Sequence, residues 1–169
     1  MKKITFLTIC LSLFLVGSLF SQQTVYVSST GAGSSDGTSE QNAYGNFANA
    51  LLDINSNGDK LIVIGTVTVG AATISDKNFA FTIEGKDATS TITGSGGTSR
   101  LFTLNQSTTI DVTLKDLTFS NYNTTLAGGG VLFSNNAGAT VTFDNCIFTG
   151  NSVTNNQGGG AIFFANGTL

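Results

Sequence analysis

The amino-acid sequence predicts a mainly β protein, and within that class a parallel β-helix, in which the chain winds as a solenoid of stacked coils. Short stretches that alternate Val, Ile, Phe and Thr with polar residues recur between clusters of Gly, Asn, Ser and Asp. Only 10% of the 169 residues are charged, 21 are glycine and none is proline, which suits strands that must all donate backbone hydrogen bonds. An internal repeat of about 30 residues then favours a solenoid over other β architectures.

The repeat lies in the second half of the chain, where segment 112–133 aligns with segment 141–163. The aligned pairs are Val112 with Val141 and Phe119 with Phe148, at an offset of 29 residues, and Gly128–Gly130 with Gly158–Gly160, at an offset of 30. One coil cannot bury its apolar row alone, so equivalent residues of successive coils must stack inside while their strands pair about 4.8 Å apart. Asn and Gly supply the positive φ angles that the corners need.

The first 21 residues have the three regions of a secretory signal peptide. Lys2 and Lys3 precede an apolar run over 4–16, which is too short for a comfortable membrane span, and small residues lead to a predicted cleavage near Ser21. An uncleaved membrane anchor is the weaker alternative, because the run has no polar face. Cleavage would change the net charge from −3 to −5, since two lysines and no acid are lost. Cys146 would then be the single cysteine, which excludes an internal disulfide.

Residues 22–58 are predicted to cover one end of the solenoid. A strand over Thr24–Ser28 and a Gly/Ser loop precede one amphipathic helix, which begins after the N-cap Asn46 and ends before Gly58. Its apolar positions recur at helical spacing: Phe47, Ala50, Leu51 and Ile54. The first coil of a solenoid leaves apolar side chains and unpaired backbone at its end, so we expect Phe47, Leu51 and Ile54 to pack against it.

Residues 59–169 are predicted to form the coils. The remaining strands are expected at 61–69, 79–84, 91–93, 100–104, 109–119, 131–134, 140–148 and 161–164. Each repeat unit supplies a strand, an Asn-containing bend, a glycine turn and another strand, which makes one unit about one coil. The domains are therefore the signal peptide 1–21, the capping region 22–58 and the β-helix 59–169.

The composition excludes several function classes. The chain has no histidine, so imidazole catalysis and histidine-ligated metal are absent, and 7 basic against 10 acidic residues do not make a nucleic-acid surface. The glycine run at 94–97 does not lie between a strand and a helix, which argues against a phosphate loop. The glycine triplets lack the alternating aspartates of a calcium-binding roll and are interpreted as turns. We expect Cys146 to be a buried thiol rather than a reactive one.

The charged residues of the β-helix are candidate catalytic groups, but each of them also has a structural interpretation. Asp111 and Asp116 would point to opposite faces of a regular strand, Lys115 is next to Asp116, and Arg100 is the single arginine. Turns or solvent would account for these charges, since no paired arrangement recurs. The corresponding bend of the next unit carries Asp144 and Asn145, which are predicted corner residues rather than ligands. We assign no catalytic residue, cofactor or metal site.

The second repeat unit carries a recognisable pattern. FTGN at 148–151 followed by GGAI at 159–162 resembles the paired FxxN and GGA[ILV] repeat of polymorphic outer membrane proteins. The motif residues are Phe119, Asn121, Gly128, Gly129, Gly130, Phe148, Asn151, Gly159, Gly160, Ala161 and Ile162. The first unit departs from the pattern: its asparagine falls at Asn121 or Asn123, and Val131 replaces Ala161. The resemblance implies a right-handed β-helix displayed outside the cell.

The N-terminal half is similar to the opening of pectin-lyase-like β-helix proteins. Those begin with a YVS strand, a loop with a DGTS-type turn, an amphipathic helix, a GD turn and a first coil that reads like IVIGTVTV. Here the corresponding segments are 26–28, 36–39, 47–54, 58–59 and 62–69. The full expectation is an all-β, right-handed parallel β-helix of the pectin-lyase-like type with one N-terminal capping helix.

Two function classes follow. The first is a non-catalytic, adhesin-like β-helix, secreted or displayed at the outer membrane of a Gram-negative-type bacterium, whose partners are carbohydrate or a protein of a host or neighbouring cell. The second is the N-terminal part of a carbohydrate-active polysaccharide lyase or hydrolase. The sequence stops at Leu169 in what reads as another strand turn, so we expect a fragment whose missing downstream domain provides outer-membrane association. The alternative is a short protein whose exposed C-terminal edge is covered by a partner or self-associates.

Overall fold

The structure, a computed structural model, is a parallel β-solenoid of about three turns with very little helix. It describes residues 21–96, 99–105, 108–155 and 158–169. Apart from Ser21, the predicted signal peptide lies outside the described residues. The fold class that the sequence predicts, an all-β parallel β-helix, is confirmed.

The described elements are one α-helix, one short 3-10 helix at Glu40–Asn42 and thirteen strands. Helix α1 spans Phe47–Asp53. The strands are β1 Thr24–Ser28, β2 Lys60–Ile64, β3 Thr66–Thr68, β4 Ala80–Gly85, β5 Thr91–Thr93, β6 Phe102–Leu104, β7 Ile110–Lys115, β8 Thr118–Ser120, β9 Asn123–Thr124, β10 Leu132–Asp144, β11 Ile147–Thr149, β12 Ser152–Val153 and β13 Ile162–Thr168.

The strands form three parallel sheets that run along the solenoid. The first sheet has the order β1-β2-β4-β7-β10-β13, with β6 also paired to β10, and the second has the order β11-β8-β5-β3. The third is the pair β9 and β12. Each sheet takes strands from successive coils, so every pairing joins residues that are distant in sequence.

The strand register joins the residues that the sequence repeat aligns. Val112 pairs with Val141, and Phe119 pairs with Phe148. After the inserted residue, Leu132 pairs with Ile162, at an offset of 30. One repeat unit is therefore one coil, and its period is set by the length of chain needed to return to the same sheet.

Corners divide three of the predicted strands. The segments expected as 61–69, 109–119 and 140–148 each contain a residue with positive φ: Gly65 at 61°, Asp116 at 52° and Asn145 at 51°. Gly, Asp and Asn adopt this left-handed conformation most readily, so the chain turns there from the first sheet to the second. A second difference concerns the two strands predicted at 131–134 and 140–148. In the structure, strand β10 spans Leu132–Asp144, so it joins the first predicted strand to the beginning of the second.

The interior is built from apolar side chains that stack coil upon coil. In the second sheet the inward column runs from Val67 through Ile92 and Phe119 to Phe148. The rings of Phe119 and Phe148 are stacked with centroids 5.4 Å apart. The first three members of the column are buried, so stacking removes the row from water as the repeat requires.

Helix α1 lies where the sequence predicts it and packs against the first coil. The side-chain oxygen of Asn46 accepts a hydrogen bond from the backbone nitrogen of Asn49 at 3.0 Å, which makes it the N-cap. The predicted apolar face is buried: Phe47, Ala50, Leu51 and Ile54 have at most 3% of their surface exposed.

A buried carboxylate fixes the turn from α1 into β2. Asp59 is fully buried and accepts hydrogen bonds from the backbone nitrogens of Gln23, Asn55 and Ser56, each at 2.9 Å. Three backbone donors compensate for the lost hydration of the carboxylate. The Gly58-Asp59 pair of the sequence is thus the anchor that aligns the capping region with the first coil.

Candidate functional site

A groove of about 420 Å³ follows the corner between the first and second sheets. It crosses three coils, because the strand ends that border it are stacked. The lining residues are Glu84, Gly85, Lys86, Asp87, Ala88, Asp116, Leu117, Thr118, Asn145 and Ile147. Charged and amide side chains therefore lie next to an exposed apolar one, Ile147, which has 61% of its surface exposed. We call this the corner groove.

Two stacked left-handed residues form the wall of the corner groove. Asp116 and Asn145 follow β7 and β10 at equivalent positions, with φ angles of 52° and 51°. The Asn145 side-chain nitrogen donates a hydrogen bond to an Asp116 carboxylate oxygen at 2.6 Å. The structure thus places Lys115-Asp116 and Asp144-Asn145 in the same bend of successive coils, as the sequence predicts.

A column of alternating charge borders the corner groove on the first sheet. Glu84 pairs in register with Lys115, and Lys115 pairs with Asp144. The Lys60 ammonium lies 2.7 Å from the Glu84 carboxylate, and the Lys115 ammonium lies 3.6 Å from it. The hydrogen bond from Lys60 is the largest cause that lowers the pKa of Glu84, and Lys115 adds to it. Glu84 is therefore held as a carboxylate between two cations.

The other charges of the corner groove are also engaged locally. Asp87 accepts hydrogen bonds from the hydroxyl and the backbone nitrogen of Thr89, at 2.6 and 2.8 Å, and these lower its pKa. The Lys86 ammonium pairs with the carboxylate of Glu40, and Asp116 lies 3.9 Å from Lys115. A general acid near neutral pH needs a raised carboxyl pKa. Glu84 and Asp87 are shifted the other way, so this arrangement suits binding better than proton donation.

Asp111 and Asp116 are not brought together. Asp111 is exposed on the outer face of β7, in register with Ala80 and Thr140. The expectation of opposite faces assumed a regular strand, but β7 ends at Lys115. The left-handed bend then leaves Asp116 partly exposed in the corner groove instead of inward.

Arg100 differs from the expectation of a turn or solvent position, because it is buried with 7% of its surface exposed. Its Nε donates to the carbonyl oxygen of Gly129 at 2.6 Å, and a second nitrogen donates to the carbonyl of Ala127. The guanidinium also lies 4.8 Å from the ring centre of Phe133. Burial lowers the pKa of Arg100. The residue joins one coil to the glycine turn of the next, so the predicted turn or solvent position is wrong for Arg100.

Cys146 is half-buried rather than fully buried. Its sulfur lies 3.2 Å from the carbonyl oxygen of Leu114, in the preceding coil. Burial raises the pKa of the thiol, which keeps it protonated and poorly nucleophilic.

The asparagine of the FxxN pattern has a defined structural position. Asn151 accepts a hydrogen bond from the backbone nitrogen of Tyr122 at 3.0 Å and donates one to the carbonyl oxygen of Phe119 at 2.9 Å. Asn121, in the first unit, instead takes the left-handed corner with φ of 59°. Its counterpart in the next coil is Gly150, with φ of 63°. The motif position in the first unit is therefore Tyr122, which the sequence interpretation missed.

The glycine triplets form stacked turns. The backbone nitrogen of Gly130 donates to the carbonyl oxygen of Gly160 at 3.0 Å, and that of Val131 donates to Ala161 at 2.8 Å. A Cβ atom on Gly129 would overlap the carbonyl oxygen of Ala161. The close approach of the two turns explains why both repeat units require glycine there.

The outer face of the second sheet carries two columns of hydroxyl groups, which we call the hydroxyl columns. One column contains Thr66, Thr91 and Thr118, and the other contains Thr68, Thr93, Ser120 and Thr149, of which Ser120 is buried. The first sheet adds a column of Thr82, Thr113 and Thr142. Standard strand geometry spaces successive hydroxyls by about 4.8 Å along the solenoid. The second sheet therefore presents regular rows of hydroxyl groups next to the corner groove, and on the first sheet the threonine column runs beside the charged column.

Comparison with protein-family models, curated proteins and solved structures gave no match to the chain. Within residues 21–96, 99–105, 108–155 and 158–169, no three His, Cys, Asp or Glu side chains are grouped so that they could hold a metal ion. Among the helices of this described part, none has the length and apolar composition to span a membrane.

Proposed function

We propose that the chain is a non-catalytic, adhesin-like β-helix that is secreted and displayed at the cell surface, where its outer face binds carbohydrate. The hydroxyl columns carry this proposal. They repeat with the coil and are fixed by parallel strand pairing, and Thr66, Thr68 and Thr149 are exposed. A rigid array loses little conformational entropy when a chain of sugar hydroxyls binds along it.

The paired charges of the corner groove support binding rather than catalysis. Glu84 lies between Lys60 and Lys115, and Asp87 is held by the turn at Thr89. Side chains that are already engaged are less available to transfer protons to a substrate. They can still accept hydrogen bonds from a ligand that lies against the second sheet.

We further propose that the coils belong to the polymorphic outer membrane protein repeat and that the protein is displayed at the outer membrane of a Gram-negative-type bacterium. The support is structural as well as compositional. Asn151 bonds to the bend of the preceding coil, and Gly129 and Gly130 lie where no side chain fits. Both halves of the pattern thus have a reason to recur once in every coil.

The experiment is a binding measurement with immobilised polysaccharides and intact bacterial or host cells. Replacing Thr66, Thr91 and Thr118 together by valine keeps side-chain shape and removes one column of hydroxyls. We expect this variant to lose binding by about tenfold or more, since several hydrogen bonds are lost together.

The matched control is Thr109→Val, which changes an exposed threonine outside the columns. It should bind like the unmodified chain. Equal binding by the triple variant and by the control would exclude the Thr66, Thr91 and Thr118 column as the binding surface, and the same replacement of Thr68, Thr93 and Thr149 would test the other column.

The alternative function is the N-terminal part of a polysaccharide lyase or hydrolase. One observation favours this alternative: the carboxylates of Glu84, Asp87 and Asp116 lie around the corner groove, and lysines lie nearby. The test is incubation with acidic polysaccharides followed by measurement of unsaturated or reducing sugar ends. We expect no release, whereas release that is lost in Asp116→Asn would establish the alternative.

A further inference from the structure

A second cavity, away from the corner groove, lies between helix α1 and the loop that joins β3 to β4. It has a volume of about 220 Å³. Its walls are mainly apolar, with Leu51 and Leu52 from the helix and Ala71 and Ala72 from the loop. Leu52 lies at the edge of the cavity and is exposed, with 71% of its surface accessible. We call this the cap pocket.

The cap pocket is also lined by three polar residues: Thr73, Asp76 and a largely buried lysine. Lys77 lines the cavity and has only 6% of its surface exposed. Its ammonium can donate three hydrogen bonds. Within the described part of the chain its ion pair is with Asp76 at 3.9 Å, beyond hydrogen-bond distance. Asp76 itself is mostly in water, with its side chain 60% exposed.

This combination defines the chemistry of a ligand. The stem of Lys77 is buried, while its ammonium keeps contact with solvent, since no fully buried side-chain nitrogen or oxygen of the described residues lacks a hydrogen-bond partner. An oxygen anion that enters the cap pocket would accept a charge-assisted hydrogen bond from this ammonium, and the alanine and leucine walls would hold a short aliphatic chain. The volume is below the usual 300–1,000 Å³ of pockets for drug-sized ligands, so the ligand must be small.

We propose that the cap pocket binds a short-chain aliphatic carboxylate, with its carboxylate on the Lys77 ammonium and its chain against Leu51 and Leu52. This site is independent of the proposed carbohydrate-binding surface. Asp76 opposes the ligand through its own negative charge, and its exposed position allows its carboxylate to move into solvent. The balance of these charges predicts weak, millimolar binding that depends on Lys77.

The probe is sodium hexanoate, titrated into the 169-residue chain and followed by amide chemical shifts in NMR. We expect saturable shifts confined to the cap pocket, centred on residues 71–77. Hexan-1-ol and hexylamine have the same chain without the anion and should bind about tenfold more weakly or not at all, because the charge-assisted hydrogen bond is missing.

Three variants complete the test. Lys77→Met keeps the aliphatic stem and removes the charge, so hexanoate affinity should fall at least about tenfold. Asp76→Asn should strengthen binding a few-fold because a repulsive charge is removed. Leu52→Asp should weaken it, while Leu126→Asp, which alters another exposed leucine outside the pocket, should not.

The substitutions at positions 52 and 126 are both exposed, so they report on binding even if Lys77→Met fails to fold. Absence of saturable shifts with hexanoate would overturn the proposal. Equal affinity for hexanoate and hexan-1-ol, or unchanged hexanoate affinity in Leu52→Asp, would also overturn it. Loss of polysaccharide binding without loss of hexanoate binding would reject only the proposed carbohydrate-binding role.

Discussion

Asn151 and Tyr122 hold the same position in successive coils, and each bonds across coils by a different route. The side-chain oxygen of Asn151 accepts a hydrogen bond from the backbone nitrogen of Tyr122 at 3.0 Å. Tyr122 is buried, and its hydroxyl donates to the carbonyl oxygen of Val69 at 2.9 Å. In these two coils, the bend after the second sheet is thus a point where side chains join coils.

The first prediction concerns Asn151. Replacing it with alanine removes hydrogen bonds to two backbone groups of the preceding coil, Tyr122 and Phe119. We expect the free energy of unfolding to fall by about 1–2 kcal/mol, measured by urea denaturation. Asn78→Ala, at an exposed position, should change it by less than about 0.5 kcal/mol. Equal stability of the two variants would contradict the structural role of the FxxN asparagine.

The second prediction concerns the glycine turns. A Cβ atom on Gly130 would overlap the carbonyl oxygen of Tyr122, whereas a Cβ atom on Gly70 would approach only the Ser95 hydroxyl, at 3.5 Å. Gly130→Ala should therefore lower the free energy of unfolding by about 1–3 kcal/mol or more, because backbone must move. Gly70→Ala should be close to neutral. Thermal denaturation of both variants provides the comparison, and tolerance of alanine at both positions would argue against close stacking of the turns.

The third prediction is a dependence on pH through Glu84. The folded-state pKa of Glu84 is lowered below its ordinary value of 4.5, chiefly by the hydrogen bond from Lys60. A lowered pKa means that the stabilisation is present above about 4.5 and is lost as the pH falls through the folded-state value. Glu84→Gln should lose less stability on acidification than the unmodified chain does.

The measurement for Glu84 is urea denaturation at about pH 7 and at a series of falling pH values below about 4.5. Asp111→Asn serves as the control, because Asp111 is an exposed carboxylate and forms no ion pair with the described residues. Its acid sensitivity should match that of the unmodified chain. An identical acid response of Glu84→Gln and the unmodified chain would refute the contribution of this ion pair.

The fourth prediction tests the buried arginine. Arg100→Lys keeps the positive charge but cannot reproduce the guanidinium bonds to the carbonyls of Gly129 and Ala127. We expect a loss of about 2–3 kcal/mol in the free energy of unfolding. Lys60→Arg is the matched reverse substitution at a partly exposed ion pair and should change stability by less than about 0.5 kcal/mol. A neutral Arg100→Lys variant would show that charge alone matters there.

The coil architecture could be predicted from the sequence because the repeat and the strand register report the same quantity. Val112 and Val141 align in sequence and pair in the sheet. Helix α1 was equally predictable, since its apolar spacing and the N-cap Asn46 are local signals. These features depend on residues that act within one segment or recur once per coil.

The corners were harder to predict, because apolar alternation continues through them. The inward positions Leu114 and Leu117 are both buried although the chain turns between them. The left-handed residue at that turn is Asp116, an aspartate that reads in sequence as an ordinary strand or surface charge. The burial of Arg100 escaped prediction for a related reason: its acceptors are backbone carbonyls nearly 30 residues away, and these leave no side-chain pattern.

The coil register also sets how the chain would respond to pulling. The last coils are joined at offsets of 29 and 30 residues by parallel strand pairing. A force that separates the last coil from its neighbour would therefore release about that many residues in one event, or roughly 100 Å of extended chain. Each further coil would add a comparable length. The chain would then lengthen in steps under tension, while the coils not yet separated keep their strand pairing.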